Sequence, residues 1–143
     1  MNDLFNLERF VVAQKNVYPT VIEELKSGVK ISHWMWFIFP QVEGLGRTEI
    51  AKKYAIKSLD EAKAYVAHPL LGKRLQECIE LVLDIDGKSA NAIFGYPDDL
   101  KFKSSMTLFL VAAPHIDLFQ RAINKYYDGH QDRLTIKLLD TID

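Results

Sequence analysis

The chain has 143 residues, 48% hydrophobic and 26% charged, the size and composition of one globular domain. Its 18 Lys and Arg balance 19 Asp and Glu to a formal net charge of −1, which supplies no basic excess for a broad nucleic-acid footprint. One cysteine, Cys78, rules out an intramolecular disulfide and argues against a structural zinc site; the longest apolar runs, Trp34 to Phe39 and Leu108 to Ala113, fall far short of the ~20 residues that cross a bilayer. The opening MNDLFNLERF has early acids and no apolar stretch of a secretory signal, so a cytoplasmic protein is expected.

In chain order, Leu4, Leu7, Val11 and Val12 recur at helical spacing, with Asp3 or Asn6 placed to cap the first helix. Pro19 opens a second helix that Gly28 stops. Ser32 is expected to cap a short helix through Phe39, closed by Pro40, and Gly44-Leu45-Gly46 is a loop. Thr48 caps Glu49 to Ala55, and Ser58 with Glu61 forms a capping box for a helix running towards His68. Pro69 begins a helix whose buried side carries Leu71, Leu75, Cys78, Ile79 and Val82, ended by Gly87. Ser89 starts a short helix ending at Gly95. Leu100 to Ala113 is read as a helix stopped by Pro114, although Thr107 to Val111 also suits a buried strand. Helices over Ile116 to Tyr127 and from an Asp132 cap through Leu139 complete the chain. No segment alternates as an exposed strand does, so the fold expected is all-α, a single compact domain of about eight or nine short helices.

The sequence lacks a Walker loop, GxGxxG, HExxH and Gly-x-Ser-x-Gly, and His33, His68, His115 and His130 never fall at i, i+4, so no cofactor and no metal is expected. Cys78 occupies a position where the helical pattern wants a small core residue. Four stretches could carry chemistry. In Ser32 to Gln41, SHWMWFIFPQ, Trp34 and Trp36 with His33 and Gln41 would make a wall for a flat ring, or simply core. The Gly44-Leu45-Gly46-Arg47 loop could turn backbone N–H groups towards an anion, or be a plain turn. In His68 to Arg74, HPLLGKR, the first-turn amides and Arg74 could hold phosphate, unless Arg74 pairs with Asp60 or Glu77. In DDLKFKSSMTLF, Asp98, Lys101, Ser104 and Ser105 lie within two turns and could form an anion cradle with a general base, or a cap and a close helix contact.

Taken together, ERFVVAQ, SHWMWFIFPQ followed by GLG, HPLLGKRL, KFKSSMTLF and the closing Gly129 to Thr135 resemble the DUF1810 family of small, mainly helical cytoplasmic proteins of unknown function, from about residue 7 to 139. The resemblance implies one DUF1810-like domain over residues 1–143. It also marks Arg9, Gln14, Lys30, His33, Trp34, Trp36, Pro40, Gln41, Gly44, Gly46, His68, Pro69, Gly72, Arg74, Gly95, Asp98, Lys101, Ser104, Ser105, Thr107 and Asp132 as motif positions. Where the family usually has a small hydroxyl residue after GLG, this chain has Arg47, then Thr48. A fainter similarity links EAKAYVAHPLLGKRL to the NADAR N-glycosidase superfamily, which acts on ribose-linked, phosphate-bearing metabolites or ADP-ribose adducts; its closing Asp-x-x-Trp-Gly is here Asp132-Arg133-Leu134-Thr135.

These readings converge on a site for a small anionic metabolite, nucleotide-like or ADP-ribose-like. Trp34, Trp36 and Gln41 would hold a ring; Lys30, Arg74, Lys101, Ser104 and Ser105 would hold phosphate; Asp98 or His33 would move protons, with hydrolysis of an N-glycosidic bond as the reaction. The alternative is a non-catalytic protein-interaction module. No membrane partner is expected, and nothing in the sequence sets an oligomeric state.

Overall fold

A computed structural model of the chain describes residues 3–142. Its ten helices are α1 (Glu8–Gln14), α2 (Tyr18–Ser27), α3 (Met35–Ile38), α4 (Glu49–Lys53), α5 (Leu59–Ala67), α6 (Leu71–Leu83), α7 (Ala90–Phe94), α8 (Asp98–Ala112), α9 (Leu118–Tyr127) and α10 (Arg133–Ile142). The fold is all-α, and among the described residues the one β feature is an isolated parallel bridge between Val42 and Ile56.

The core is organised by α8. Phe102, Ser105, Met106, Thr107, Leu108 and Phe109 are all fully buried, so beyond its first turns the helix is covered on every side and shows no amphipathic stripe. That explains why Thr107 to Val111 also suits a strand in the sequence: a segment buried all round loses its period. α3, α5, α7, α9 and α10 pack against it. Phe102 lies edge-on to Phe39 and stacked on Phe94, while Phe109 contacts Tyr65 and Phe119, so aromatic rings join these helices.

The local signals mostly act as expected, but α6 ends at Leu83 with Asp84 as its C-cap, short of Gly87, and four further departures stand out. Asp3 caps α1, accepting from the Leu7 and Glu8 N–H groups at 2.7 and 3.0 Å, and those two bonds hold its carboxyl below the usual carboxylate range. The buried face of α1, however, is Leu7, Phe10 and Gln14; Leu4 and Val12 are exposed. Ser32 does not cap α3. The Glu24 carboxylate, reaching up from α2, accepts from the Ile31 and Ser32 N–H groups, the Ser32 hydroxyl and the Trp34 indole N–H at 2.6–2.9 Å, and this charged acceptor outcompetes a cap. Helix α3 is therefore a single turn.

Ser58 caps α5 through the Glu61 N–H, but Glu61 does not return the bond to Ser58; it accepts from the Lys57 N–H and pairs with Arg9 at 2.7 Å. Arg9 sends its five N–H donors to the Phe5, Asn6, Lys53 and Ala55 carbonyls and to Glu61, joining α1 to the end of α4 and the start of α5. Finally, the first-turn amides after Pro69 are not left free for an anion. The His68 imidazole Nδ1 accepts from the Leu70 and Leu71 N–H groups, both at 3.1 Å, so His68 is the cap of α6.

Candidate functional site

The walls of one cleft come from four places in the chain. The turn α3 with Pro40 delivers Trp36 and Gln41. The bridge of Val42 to Ile56, with Glu43 N–H to Ile56 O and Ile56 N–H to Gln41 O both at 2.8 Å, pins the following loop against the segment after α4. Gly46 is required by packing, because a Cβ there would lie 2.5 Å from the Ala51 Cβ. The loop then passes Arg47 to Thr48, whose hydroxyl caps α4 through the Ala51 N–H. The first turns of α8 supply Leu100, Lys101 and Ser104, and the start of α10 supplies Asp132 and Leu134. The enclosed volume is about 380 Å³.

The polar groups form two chains. In the first, Asp98 lies between two ammonium groups: Lys30 at 2.8 Å and Lys101 at 3.5 Å, one on each carboxylate oxygen. Lys30 is nearly buried, also donates to the Ser32 carbonyl, and sits 5.0 Å from the Trp34 ring. Lys101 is the more open of the two and holds its ammonium 4.9 Å above the Trp36 ring. One carboxylate against two ammoniums leaves one positive charge, carried at the cleft by Lys101. In the second chain, Asp132 Oδ2 accepts from the Ser104 hydroxyl, the Thr135 N–H and the Thr135 hydroxyl, while the Asp132 N–H donates to Thr107 Oγ1 at 2.9 Å. Asp132 is thus the cap of α10 and at the same time the carboxylate on the cleft wall.

Of the residues singled out in the sequence, Trp36, Gln41, the Gly44 to Arg47 loop, Lys101, Ser104 and Asp132 line this cleft, and Lys30 and Asp98 stand behind Lys101. The others lie elsewhere. Trp34 is buried, its indole N–H bound to Glu24, with no face open to a ligand. His33 is exposed and outside the cleft lining. Arg74 sits over the Tyr18 ring at 4.4 Å and donates to Gln14 Oε1 at 3.3 Å; it is outside the cleft lining and paired with neither Asp60 nor Glu77. Both oxygens of Asp98 are occupied by lysines, which makes it a charge partner better than a base. Among the described residues no cluster of three His, Cys, Asp or Glu is placed to hold a metal ion. Burial pushes the Cys78 thiol up to about 12, so it is no nucleophile at neutral pH.

Ser105 is buried, and its hydroxyl has no hydrogen-bond partner among the described residues. Ser105→Ala is expected to be neutral or stabilising, within about 1 kcal/mol, because an unpaired buried hydroxyl contributes only a desolvation cost. Thermal denaturation of the variant checks this; a clear loss of stability would mean that the hydroxyl has a partner.

The sequence does not single out Tyr54, Leu100 and Leu134, which line the cleft, and offers Asp132 chiefly as a cap. Asp132 was legible as a cap, but its contact with Ser104 joins positions 28 apart on different helices, and no local pattern carries that.

The model of the family described as "Protein of unknown function (DUF1810)" matches residues 4–139. Among solved structures, the conserved hypothetical protein Rv1873 from Mycobacterium tuberculosis is 53% identical, with 96% of this chain and 99% of that one covered and a TM-score of 0.95. No curated protein matches the sequence. Neither match bears on the N-glycosidase likeness, which rests on the sequence strings alone.

Proposed function

The chain belongs to the DUF1810 family, and from its own geometry we propose that the cleft between α4, α8 and the start of α10 binds a small phosphate-bearing metabolite of nucleotide or ADP-ribose type. The observation that carries this reading is the Lys101–Trp36 pair: a cation with a surplus of charge, held over a half-buried indole on the wall of a cleft large enough for a nucleoside. A flat ring laid on Trp36 takes the place of the ammonium, which then turns to the ligand's phosphate. Gln41 is the neutral donor and acceptor available to the ring edge, and Arg47 and Lys52 add positive charge to the cleft lining. Hydrolysis of an N-glycosidic bond is the turnover that follows from this reading. Asp132, rather than Asp98 or His33, supplies its carboxylate, since it lines the cleft where oxocarbenium character would need an adjacent negative charge.

The test is a thermal-shift panel of AMP, ADP, ADP-ribose, NAD, sugar phosphates and simple anions. A ligand at ~100 times its dissociation constant adds about 2.7 kcal/mol to stability. Lys101→Ala is expected to abolish the shift while leaving the free protein as stable as before within about 1 kcal/mol, because Asp98 keeps Lys30. A wild-type shift in that variant would remove Lys101 from the site.

The reading of a protein-interaction module is favoured by one feature. Leu100 and Leu134 on the cleft wall, and Tyr96 and Ile50 beside it, are large apolar side chains left exposed. The tryptophans do not form part of an open patch, since Trp34 is buried and Trp36 half-buried. A panel with no hit would favour the module.

A further inference from the structure

Two carboxylates line the cleft, Glu43 and Asp132. Glu43 is exposed, whereas Asp132 is half-buried and rigidly mounted. Its Oδ2 takes the Ser104 hydroxyl at 3.1 Å, the Thr135 N–H at 3.1 Å and the Thr135 hydroxyl at 2.5 Å. Its N–H donates to Thr107 Oγ1, whose own hydroxyl proton goes to the Lys103 carbonyl. Thr107 and Thr135 are fully buried, so α8 and the first turn of α10 fix the carboxylate in place. Oδ1 is different. It has no hydrogen-bond partner among the described residues, yet it is not sealed away as the Ser105 hydroxyl is. No lysine, arginine or histidine among the described residues lies within ion-pair distance of Asp132.

An unpaired carboxylate is out of place in a pocket that has only phosphate to hold. It repels the anion that Lys101, Arg47 and Lys52 attract. It suits a neutral group that donates, because a hydroxyl-to-carboxylate hydrogen bond is roughly twice as strong as a neutral one. A nucleotide carries such donors on its ribose, and dinucleotide-binding folds use a carboxylate for that purpose. We propose that Asp132 Oδ1 accepts from the ribose hydroxyls, so that the ligand class of the cleft is a ribonucleotide with free 2′- and 3′-hydroxyls. Inorganic phosphate and nucleotides lacking both hydroxyls are disfavoured by the same oxygen. The inference rests on the reading of the cleft as a nucleotide site and holds with or without turnover.

Calorimetric titration of AMP and 2′,3′-dideoxy-AMP into the wild type and Asp132→Asn tests it. Asparagine caps a helix as well as aspartate does, so the variant is expected to melt within a few degrees of the wild type. The three donors at Oδ2 keep the amide oxygen on their side, which puts the NH2 group in place of Oδ1 and turns an acceptor into a donor. The wild type should bind AMP at least about tenfold more tightly than the dideoxy analogue. In Asp132→Asn that preference should shrink to within about threefold, while the analogue binds as well as before or better, since a negative charge has gone. Asp132→Ser, which also keeps a cap, should lose the preference in the same way. Equal affinity of the wild type for the two nucleotides, or a preference that survives in the variants, overturns the ribose assignment and leaves the cleft reading intact. Failure of both nucleotides to bind the wild type overturns the cleft reading and the assignment with it.

Discussion

Gly72→Ala is expected to destabilise the protein by at least about 3 kcal/mol, seen as a fall of some 10 °C or more in Tm. A Cβ at this position would lie 2.0 Å from the Val66 carbonyl oxygen and 2.9 Å from its carbon. The obstacle is backbone of α5, not the end of a flexible side chain, so relief requires α5 and α6 to move apart. These helices are joined by the three residues His68, Pro69 and Leu70 and are held close by the His68 cap, so little slack exists. A variant that melts within a few degrees of the wild type would show that the α5–α6 contact is looser than described.

Removal of the Glu24 carboxylate is the second large effect. Glu24→Ala strips the acceptor from three buried or half-buried N–H donors, those of Ile31, Ser32 and the Trp34 indole, and should cost on the order of 3–5 kcal/mol. The same group gives the protein a pH signature. Burial alone would raise its pKa, but the four donors win and bring it from an ordinary 4.5 down to about 2. A carboxyl whose folded pKa lies below its unfolded value stabilises the fold fully above the unfolded pKa. That contribution, on the order of 3 kcal/mol, is lost as pH falls from about 4.5 towards 2. Asp3, also lowered, acts in the same direction. Urea denaturation at several pH values should show wild-type stability falling through this window, while Glu24→Gln falls less steeply. Parallel curves for the two proteins would remove Glu24 from the acid response.

The helices were legible because their signals are local. Ser58, Thr48, Ser89 and the stops at Gly28 and Gly95 act within four residues of their own position, and a sequence displays such relations directly. The site was only partly legible. Lys101 and Ser104 share a face of α8 by helical spacing, and Trp36 and Gln41 share one turn and its exit, so each pair could be read. Which pairs meet could not. Trp34 and Trp36 look equivalent in the sequence, yet Glu24 on another helix claims the first and leaves the second at the cleft. Arg74 looks as suitable for phosphate as Lys101, but Tyr18 and Gln14 engage it outside the cleft lining. The motif strings therefore mix two kinds of residue. Arg9, Gln14, Trp34, His68 and Gly72 hold the scaffold, whereas Trp36, Lys101, Ser104 and Asp132 face the space it encloses.

Arg9 sets a constraint on what mutation can leave in place. Its five bonds go to four carbonyls and one carboxylate spread around a planar group. A lysine would bring three donors on a single nitrogen and could not span them, which strands at least two of the acceptors. The exchange usually counted as mild is here a severe one. Among viable variants of this fold, position 9 should admit arginine alone, even though it lies outside the cleft and touches no ligand there.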